Sequence, residues 1–296
     1  MKENKSYPVI GRISTQLSSL TPKGQVLGTY IMHNPRKAVF MTTRELAETC
    51  DVSEATVVRF VSQLGYGGYG EFLQALRDYV DTGLTLQDRV ELPSLKEPGS
   101  NRFQRVLFDE MNNLKQLYDT IDMNSLESFV GALVENPWVY VIGSRLSYTL
   151  SYYLGWSLTK VRKGVHILRG SDSTSIDWLS SAPVGSLVVI IATSRYPNEL
   201  IKLAKVARRL EHRLLVLADS VLCPLNQFAH LQLVAPTVNI PFIGSPTAMF
   251  SLINYLVLEI AARNGHQLME HQETLEQIYR ENDVLFNLYN QDAGTT

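Results

Sequence analysis

Cysteine and histidine are scarce in this sequence, and their scarcity excludes two kinds of site. Only Cys50 and Cys223 are present. Each lies in an apolar stretch far from the other, so we expect reduced packing residues of a cytoplasmic protein and no disulfide. The six histidines show no metal-ligand spacing, and the cysteines add none. The sequence therefore predicts neither a metal site nor a cofactor.

Long hydrophobic runs and net charge are also lacking. No apolar run approaches the roughly 20 residues that cross a membrane, and no amino-terminal segment resembles a signal peptide. The formal net charge is −2, and residues 1–81 hold nine basic and eight acidic side chains. Non-specific attraction to phosphate should therefore be weak. Any binding of DNA has to depend on a few placed groups and on the joining of two copies.

The chain nevertheless has ample material for folded cores, since 45% of its 296 residues are hydrophobic and only 19% are charged. That length corresponds to about two domains. The first is organised around residues 43–64, which read as two short helices joined by a tight turn. Thr42 and Glu45 have the spacing of a capping box, and Ser53 is placed to cap the second helix. Asp51 stands in the turn where glycine is common, and aspartate tolerates the left-handed conformation required there.

Apolar residues recur along both helices at helical spacing and define a buried side. The opposite side of the second helix is polar and should be exposed. This arrangement is typical of a helix-turn-helix, whose second helix lies in the major groove of DNA. An ordinary helical hairpin within a core is the alternative. The predicted DNA-binding residues are Thr43, Ser53, Glu54, Thr56, Arg59 and Ser62.

Further amphipathic segments complete a compact helical domain over residues 1–82. A polar stretch with two prolines and two glycines follows at 83–101 and reads as a linker. Residues 102–123 then predict a connecting helix with an apolar seam of only two heptads, which is too short to indicate a coiled coil by itself.

A family resemblance rests on the run VSEATVVRFVSQLGYGGYGEF, in which the pair Arg59-Phe60 and the turn at 64–69 are the specific parts. Residues 7–82 resemble the amino-terminal domain of the RpiR family of bacterial regulators. The resemblance implies a DNA-binding transcription factor.

From residue 124 the pattern changes to helices that alternate with short apolar strands. The predicted strands are 138–142, 165–168, 187–192, 214–218 and 231–234. Continuous apolar strands between helices indicate a parallel sheet covered on both faces. The fold class is thus an all-α domain followed by a three-layer α/β domain with a five-stranded, flavodoxin-like sheet at 124–265. Residues 266–296 should form a terminal helix and a tail.

Ligands of such sheets bind beyond the carboxyl ends of the strands, where the strand order reverses. In the flavodoxin-like order, the first and third strands flank that point. The loops that follow them are rich in hydroxyls, and each carries an arginine and leads into a helix. Two guanidinium groups on neighbouring strands would converge on one acidic ligand; the alternative is that they face solvent or pair with Glu199. The predicted effector-binding residues are Ser144, Arg145, Ser147, Thr193, Ser194, Arg195 and Asn198.

Residues 124–265 also resemble the SIS (sugar isomerase) domain that follows RpiR-type helical domains. SIS domains usually bind phosphosugars through the loops after the first and third strands. Four residues match the family pattern, namely Gly143, Ser147, Ser194 and Glu199. Arg145 and Arg195 stand where glycine is expected, and Pro197 stands where threonine is expected.

These observations predict a transcriptional regulator whose SIS-type domain binds a small anionic metabolite, a phosphosugar or another acidic compound, and controls binding to operator DNA. We expect a homo-oligomer, at least a dimer, held mainly by residues 101–290. The alternative is a sugar-phosphate isomerase, for which Glu199, His166 and His230 are candidate bases. A scaffold with two vestigial sites is a third reading. An amino-terminal helix-turn-helix would be idle in an isomerase, so no enzymatic activity is predicted.

Overall fold

A computed structural model of the chain describes residues 9–39, 41–81, 99–237 and 244–285. It divides into two compact units, one of residues 1–112 with 238–245 and the other of residues 113–237 with 246–296. Most of the predicted linker lies outside the described residues, and its last three residues, 99–101, belong to a helix. The domain boundaries drawn from the sequence therefore stay a prediction.

The first unit is helical. After α1 (Val9–Gln16), Thr21 caps α2 (Pro22–His33) by accepting a hydrogen bond from the Gly24 amide. The next helices are α3 (Pro35–Ala38), α4 (Thr43–Thr49), α5 (Glu54–Gln63) and α6 (Tyr69–Asp81). One apolar core joins them, with Phe60 and Phe72 edge to face at 6.0 Å. A Cβ on Gly28 would lie 2.8 Å from the Leu17 side chain, so glycine allows the amino-terminal segment to pack closely on α2.

Helix α7 (Gly99–Thr120) leads into the α/β unit, where α8 (Met123–Glu135) precedes the first strand. The strands are β1 (Val139–Gly143), β2 (Val165–Arg169), β3 (Leu187–Ala192), β4 (Arg213–Ala218) and β5 (Leu231–Val234). The helices between and after them are α9 (Leu146–Val161), α10 (Ser175–Ser181), α11 (Asn198–Arg209) and α12 (Thr247–Glu281).

All five strands are parallel, in the order β2-β1-β3-β4-β5. This is the flavodoxin-like order, and the prediction of the fold class is confirmed. The strands β1 and β3 are buried along their whole length, because helices cover both faces of the sheet. Helices α8, α9 and α12 pack on one face, and α10 and α11 pack on the other. The strand order places the loops after β1 and β3 side by side.

The last helix, α12, is interrupted at Gly265, which has a φ of 46°. Its first part packs into the core, and Arg263 joins it to α8 through Glu127 at 2.5 Å. Its second part lies against α9, where Lys160 donates a hydrogen bond to the Tyr279 hydroxyl. The predicted tail at 286–296 lies outside the described residues. Across the described ranges, no helix combines the length and apolar character that crossing a membrane requires.

Candidate DNA-binding and effector-binding sites

The helix-turn-helix is held by the caps that the sequence predicts. The Thr42 hydroxyl accepts a hydrogen bond from the Glu45 amide, and the Glu45 carboxylate accepts one from the Thr42 amide at 2.7 Å. These bonds lower the pKa of Glu45. Ser53 caps α5 through the Thr56 amide. Asp51 has a φ of 53°, so the left-handed turn forms with aspartate in place of glycine.

The outer face of α5 differs from the prediction at one position. Ser53, Glu54, Arg59 and Ser62 are exposed, whereas Thr56 is 9% exposed and buried. The Thr56 hydroxyl is 2.9 Å from that of Ser53 and accepts a contact from the Arg59 guanidinium at 3.5 Å. The expected exposure of Thr56 is wrong because its hydroxyl turns back to the helix start. Its geometry suits the orientation of Arg59.

Two other features of this surface were missed from the sequence. The Thr43 hydroxyl donates a hydrogen bond to the Glu54 carboxylate at 3.0 Å and so ties α4 to the start of α5. The apolar side chain of Val58 is 49% exposed beside Arg59. An exposed valine on a recognition helix suits contact with a thymine methyl group. The helical pattern had assigned the apolar residues of α5 to the core only.

In the loop after β1, the predicted hydroxyls are engaged within the protein. Ser144 and Ser147 are both buried. The Ser147 hydroxyl donates to the Ser144 carbonyl at 2.8 Å, and the Ser144 hydroxyl donates to Glu199 at 2.6 Å. The hydrogen bond from Ser144, together with the nearby charges of Arg145 and Lys202, lowers the pKa of Glu199. Glu199 is therefore ionised at neutral pH and joins the β1 loop to α11.

Glycine is required next to this loop for a steric reason. A Cβ on Gly143 would lie 2.3 Å from the Ser147 carbonyl oxygen. Without that side chain, the first turn of α9 packs directly against the end of β1. The residue that matches the SIS pattern here thus has a packing role.

Both predicted arginines adopt left-handed backbone conformations. Arg145 has φ 56° and ψ −126°, and Arg195 has φ 67°. Both side chains are exposed. A positive φ is the conformation that glycine adopts most easily, which explains why glycine is expected at these positions. Their side chains stand at the ends of neighbouring strands, and the convergence of the two guanidinium groups stays a prediction.

The loop after β3 is organised by a residue that the sequence analysis missed. Asp219 follows β4 and is 5% exposed. Its carboxylate accepts hydrogen bonds from the amide and hydroxyl of Ser194, both at 2.5 Å, and from the Tyr196 hydroxyl at 2.7 Å. The Thr237 hydroxyl is a further donor at 3.3 Å. Of the other predicted residues of this loop, Thr193 is half-buried and Asn198 is exposed at the start of α11.

A third arginine lies at the same edge of the sheet. Arg169 ends β2, pairs with Gly143 in the sheet register, and places its guanidinium 4.9 Å from the centre of the Tyr148 ring. The sequence signal was available, since Arg169 closes a predicted strand. The strand order was needed to show that it neighbours the β1 loop.

The histidines proposed as bases for an isomerase lie away from this edge. His166 is within β2 and stacks on Tyr140 at 4.7 Å. His230 precedes β5, at the amino end of the sheet, and its Nδ1 accepts from the Leu214 amide. Burial, followed by the charge of Arg208, lowers the pKa of His230. Within the described parts of the chain, no group of His, Cys, Asp and Glu side chains could hold a metal ion.

A groove of about 580 Å³ lies at the opposite, amino end of the sheet. Its walls are the ends of α8 and α9 and the kinked region of α12. Arg162 within it donates to the carbonyls of Leu133, Asn136 and Pro137. The groove contains none of the predicted effector-binding residues, and its arginine caps a helix.

Fold and sites together define a class of protein: a helix-turn-helix domain joined to a doubly wound α/β domain with polar loops at its switch point. Residues 8–83 match the helix-turn-helix domain of the rpiR family, and residues 133–259 match the SIS domain. The chain therefore belongs to the RpiR family of helix-turn-helix transcriptional regulators, with a SIS domain in its carboxyl-terminal part.

Curated relatives agree with this assignment. The HTH-type transcriptional regulator HexR of Pseudomonas aeruginosa is 23% identical over 202 residues, which are 68% of this chain and 69% of that protein. An uncharacterized HTH-type transcriptional regulator of Caldanaerobacter subterraneus is 33% identical over 89 residues. That shorter match covers 28% of this chain and 32% of the relative.

Solved structures share the fold. The NanR protein of Vibrio vulnificus, complexed with ManNAc-6P, is 21% identical, with a TM-score of 0.55 over 94% of this chain and 100% of that one. The sugar isomerase domain of an RpiR transcription factor from Sphaerobacter thermophilus is 24% identical. It covers 61% of this chain and 97% of its own, with a TM-score of 0.54.

Proposed function

We propose that the SIS domain of this regulator binds a small acidic metabolite at the carboxyl edge of its sheet and thereby controls operator binding. The observation that carries the proposal is the pair Arg145 and Arg195. Each arginine occupies a left-handed position at the end of one of two neighbouring strands, and each side chain is exposed. A non-glycine residue in such a conformation costs about 1–2 kcal/mol, so its retention favours a functional role for the side chain.

The surroundings of the two arginines suit an anion. Helices α9 and α11 both begin within a few residues of them, and helix amino termini carry a partial positive charge. Arg169 adds a third guanidinium at the neighbouring strand end. A phosphate or a carboxylate satisfies a guanidinium fork with two hydrogen bonds. NanR, which shares the fold, was solved with a phosphorylated sugar, and a phosphosugar is one member of the proposed class.

The same geometry supports a regulator in preference to an isomerase. General acid–base catalysis needs a base within hydrogen-bond reach of the substrate. His166 and His230 are placed elsewhere, and the Glu199 carboxylate already accepts a hydrogen bond from Ser144. We infer that the domain binds its ligand without turning it over. Loss of substrate when purified protein is incubated with a set of sugar phosphates would overturn this inference.

A thermal-shift screen of acidic metabolites on the full chain tests the proposal. A ligand at one hundred times its dissociation constant stabilises the fold by about 2.7 kcal/mol. Replacing both Arg145 and Arg195 by alanine should abolish the shift while DNA binding without ligand stays intact. Arg209→Ala removes an exposed arginine from the far end of α11 and is the matched control. An unchanged response of the double variant to the same ligand places the site elsewhere.

A further inference from the structure

The loop after β3 presents a set of hydrogen-bond donors that meet at one point. The amide and hydroxyl of Ser194 and the hydroxyl of Tyr196 all point to the Asp219 carboxylate, at 2.5 to 2.7 Å. A backbone amide and two hydroxyls at the end of a parallel strand, next to a helix amino terminus, form an arrangement that binds anions. In this protein the anion is supplied by the chain itself.

The internal carboxylate is securely placed. Asp219 is 5% exposed, and the Thr237 hydroxyl is a further donor to it. Its position follows from the strand order, because β4 neighbours β3 and their ends are in register at Ala192 and Ala218. The carboxylate of Glu199 in the adjacent loop is only half-buried and is approached by the Arg145 charge. The two loops thus differ, since the β3 loop is closed by a buried acid and the β1 loop lies beside exposed arginine.

We propose that Asp219 is a specificity-determining residue that occupies the anion position of the β3 loop and excludes phosphate from it. A phosphate at Ser194 would have to displace a buried carboxylate or lie against it, and two like charges at that distance repel strongly. The acidic group of the effector is consequently bound at the β1 side, by arginine. This inference rests on the proposed function only for the role of the pocket, and the anion position itself is visible in the hydrogen bonds.

The inference predicts a gain of binding when the carboxylate is removed. Asp219→Ala leaves donors without an acceptor and a space that a small anion fits. The variant should lose stability, and formate or inorganic phosphate should raise its melting temperature by about 3–5 °C at ten times their dissociation constants. The wild-type protein should show no such rise relative to chloride at equal ionic strength. A merely structural role for Asp219 would lower stability without creating this response.

Two further variants complete the experiment. Asp219→Asn keeps the space filled and should not respond to either anion. Asp172→Ala removes an exposed carboxylate that also accepts a backbone hydrogen bond, and it controls for general effects of losing a charge. Should Asp219→Ala be too unstable to purify, Asp219→Ser serves the same measurement. Equal responses of wild type and the Asp219→Ala or Asp219→Ser variant, or no response of that variant, overturn the proposal.

Failure here is distinguishable from failure of the proposed function. The measurement uses formate and inorganic phosphate, with neither effector nor DNA. If the Asp219 variants behave as the wild type while the arginine double variant still loses its effector response, only the present inference is lost. The opposite pair of results would leave Asp219 as an internal anion and remove the arginines from the site.

Discussion

Arg145 holds a backbone conformation that glycine adopts without strain. Replacing it by glycine should raise the free energy of unfolding by about 1 kcal/mol, because relief of the strain outweighs the greater freedom of the unfolded chain. The same change should weaken binding of the effector, since the guanidinium is lost. Stability and affinity would then move in opposite directions in denaturant unfolding and ligand titration.

Glu211 is the matched control for this prediction. It has a φ of 61° at the end of α11, away from the carboxyl edge of the sheet. Glu211→Gly should also raise stability but leave the effector affinity unchanged. A loss of effector affinity in this variant would show that strain, and not the arginine side chain, governs binding.

Arg59 is the exposed basic residue of α5, and its guanidinium lies 3.5 Å from the Thr56 hydroxyl. If it reads a base, Arg59→Ala should weaken binding to a specific duplex by roughly 1–3 kcal/mol while the fold is retained. Gel-shift titrations with a duplex selected by the protein and with random DNA measure this. Equal weakening on both would assign the arginine to a phosphate, and no weakening would exclude it from the interface.

Prediction at this scale succeeded where a residue acts on its own neighbours. The caps at Thr42 and Ser53 and the turn at Asp51 follow from local spacing and were confirmed. Thr56 was misplaced because helical spacing alone does not show a hydroxyl turning back to its cap. Asp219 was missed because its partners in the β3 loop are more than twenty residues away in sequence and meet it only through the strand order.

Arg162 caps an element other than its own. It follows α9, and its guanidinium donates to three carbonyls at the end of α8. Arg162→Ala should lower the free energy of unfolding by about 2–3 kcal/mol, because carbonyls at a helix end lose a charged donor. Denaturant unfolding measures the change, and Lys163→Ala, at the exposed neighbouring residue, should have little effect. Similar losses in both variants would contradict a capping role.

Among the elements, the strands were predicted best. Each is a short continuous apolar run, which a sheet covered on both faces requires, and β3 and β5 have the predicted bounds. Helix α10 was not predicted, because its seven residues include three serines and offer little periodicity. The flavodoxin-like order entered as a condition, since strand lengths and spacing do not determine which strands are neighbours.

At the scale of the whole molecule, the helix-turn-helix domain has little charge with which to hold DNA. Residues 1–81 carry only one more basic than acidic side chain. We expect the full chain to be at least a dimer, since two joined domains gain affinity through effective concentration and read two half-sites. Helix α7 supports self-association, with exposed apolar side chains at Phe103, Leu107, Met111 and Tyr118.

Residues 1–82 expressed alone should therefore bind the selected duplex much more weakly than the full chain. Gel-shift titration of both proteins measures the difference, and light scattering at micromolar concentration gives the mass of the full chain. Circular dichroism of the fragment confirms that it is folded. A monomeric full chain, or a fragment with equal affinity, would contradict the expected role of assembly.

Helix α9 connects the effector edge to the terminal helix. It begins at Leu146, directly after Arg145, and near its end Lys160 lies 4.8 Å from the Trp156 ring and 5.1 Å from that of Tyr279. Sixteen helical residues form a rod of about 24 Å that moves as one body. An ammonium group against an indole alters its fluorescence, so a shift of the rod on ligand binding changes the emission of Trp156. The protein thus carries a natural optical reporter of its own occupancy, readable without a label once Trp138 and Trp178 are replaced by phenylalanine.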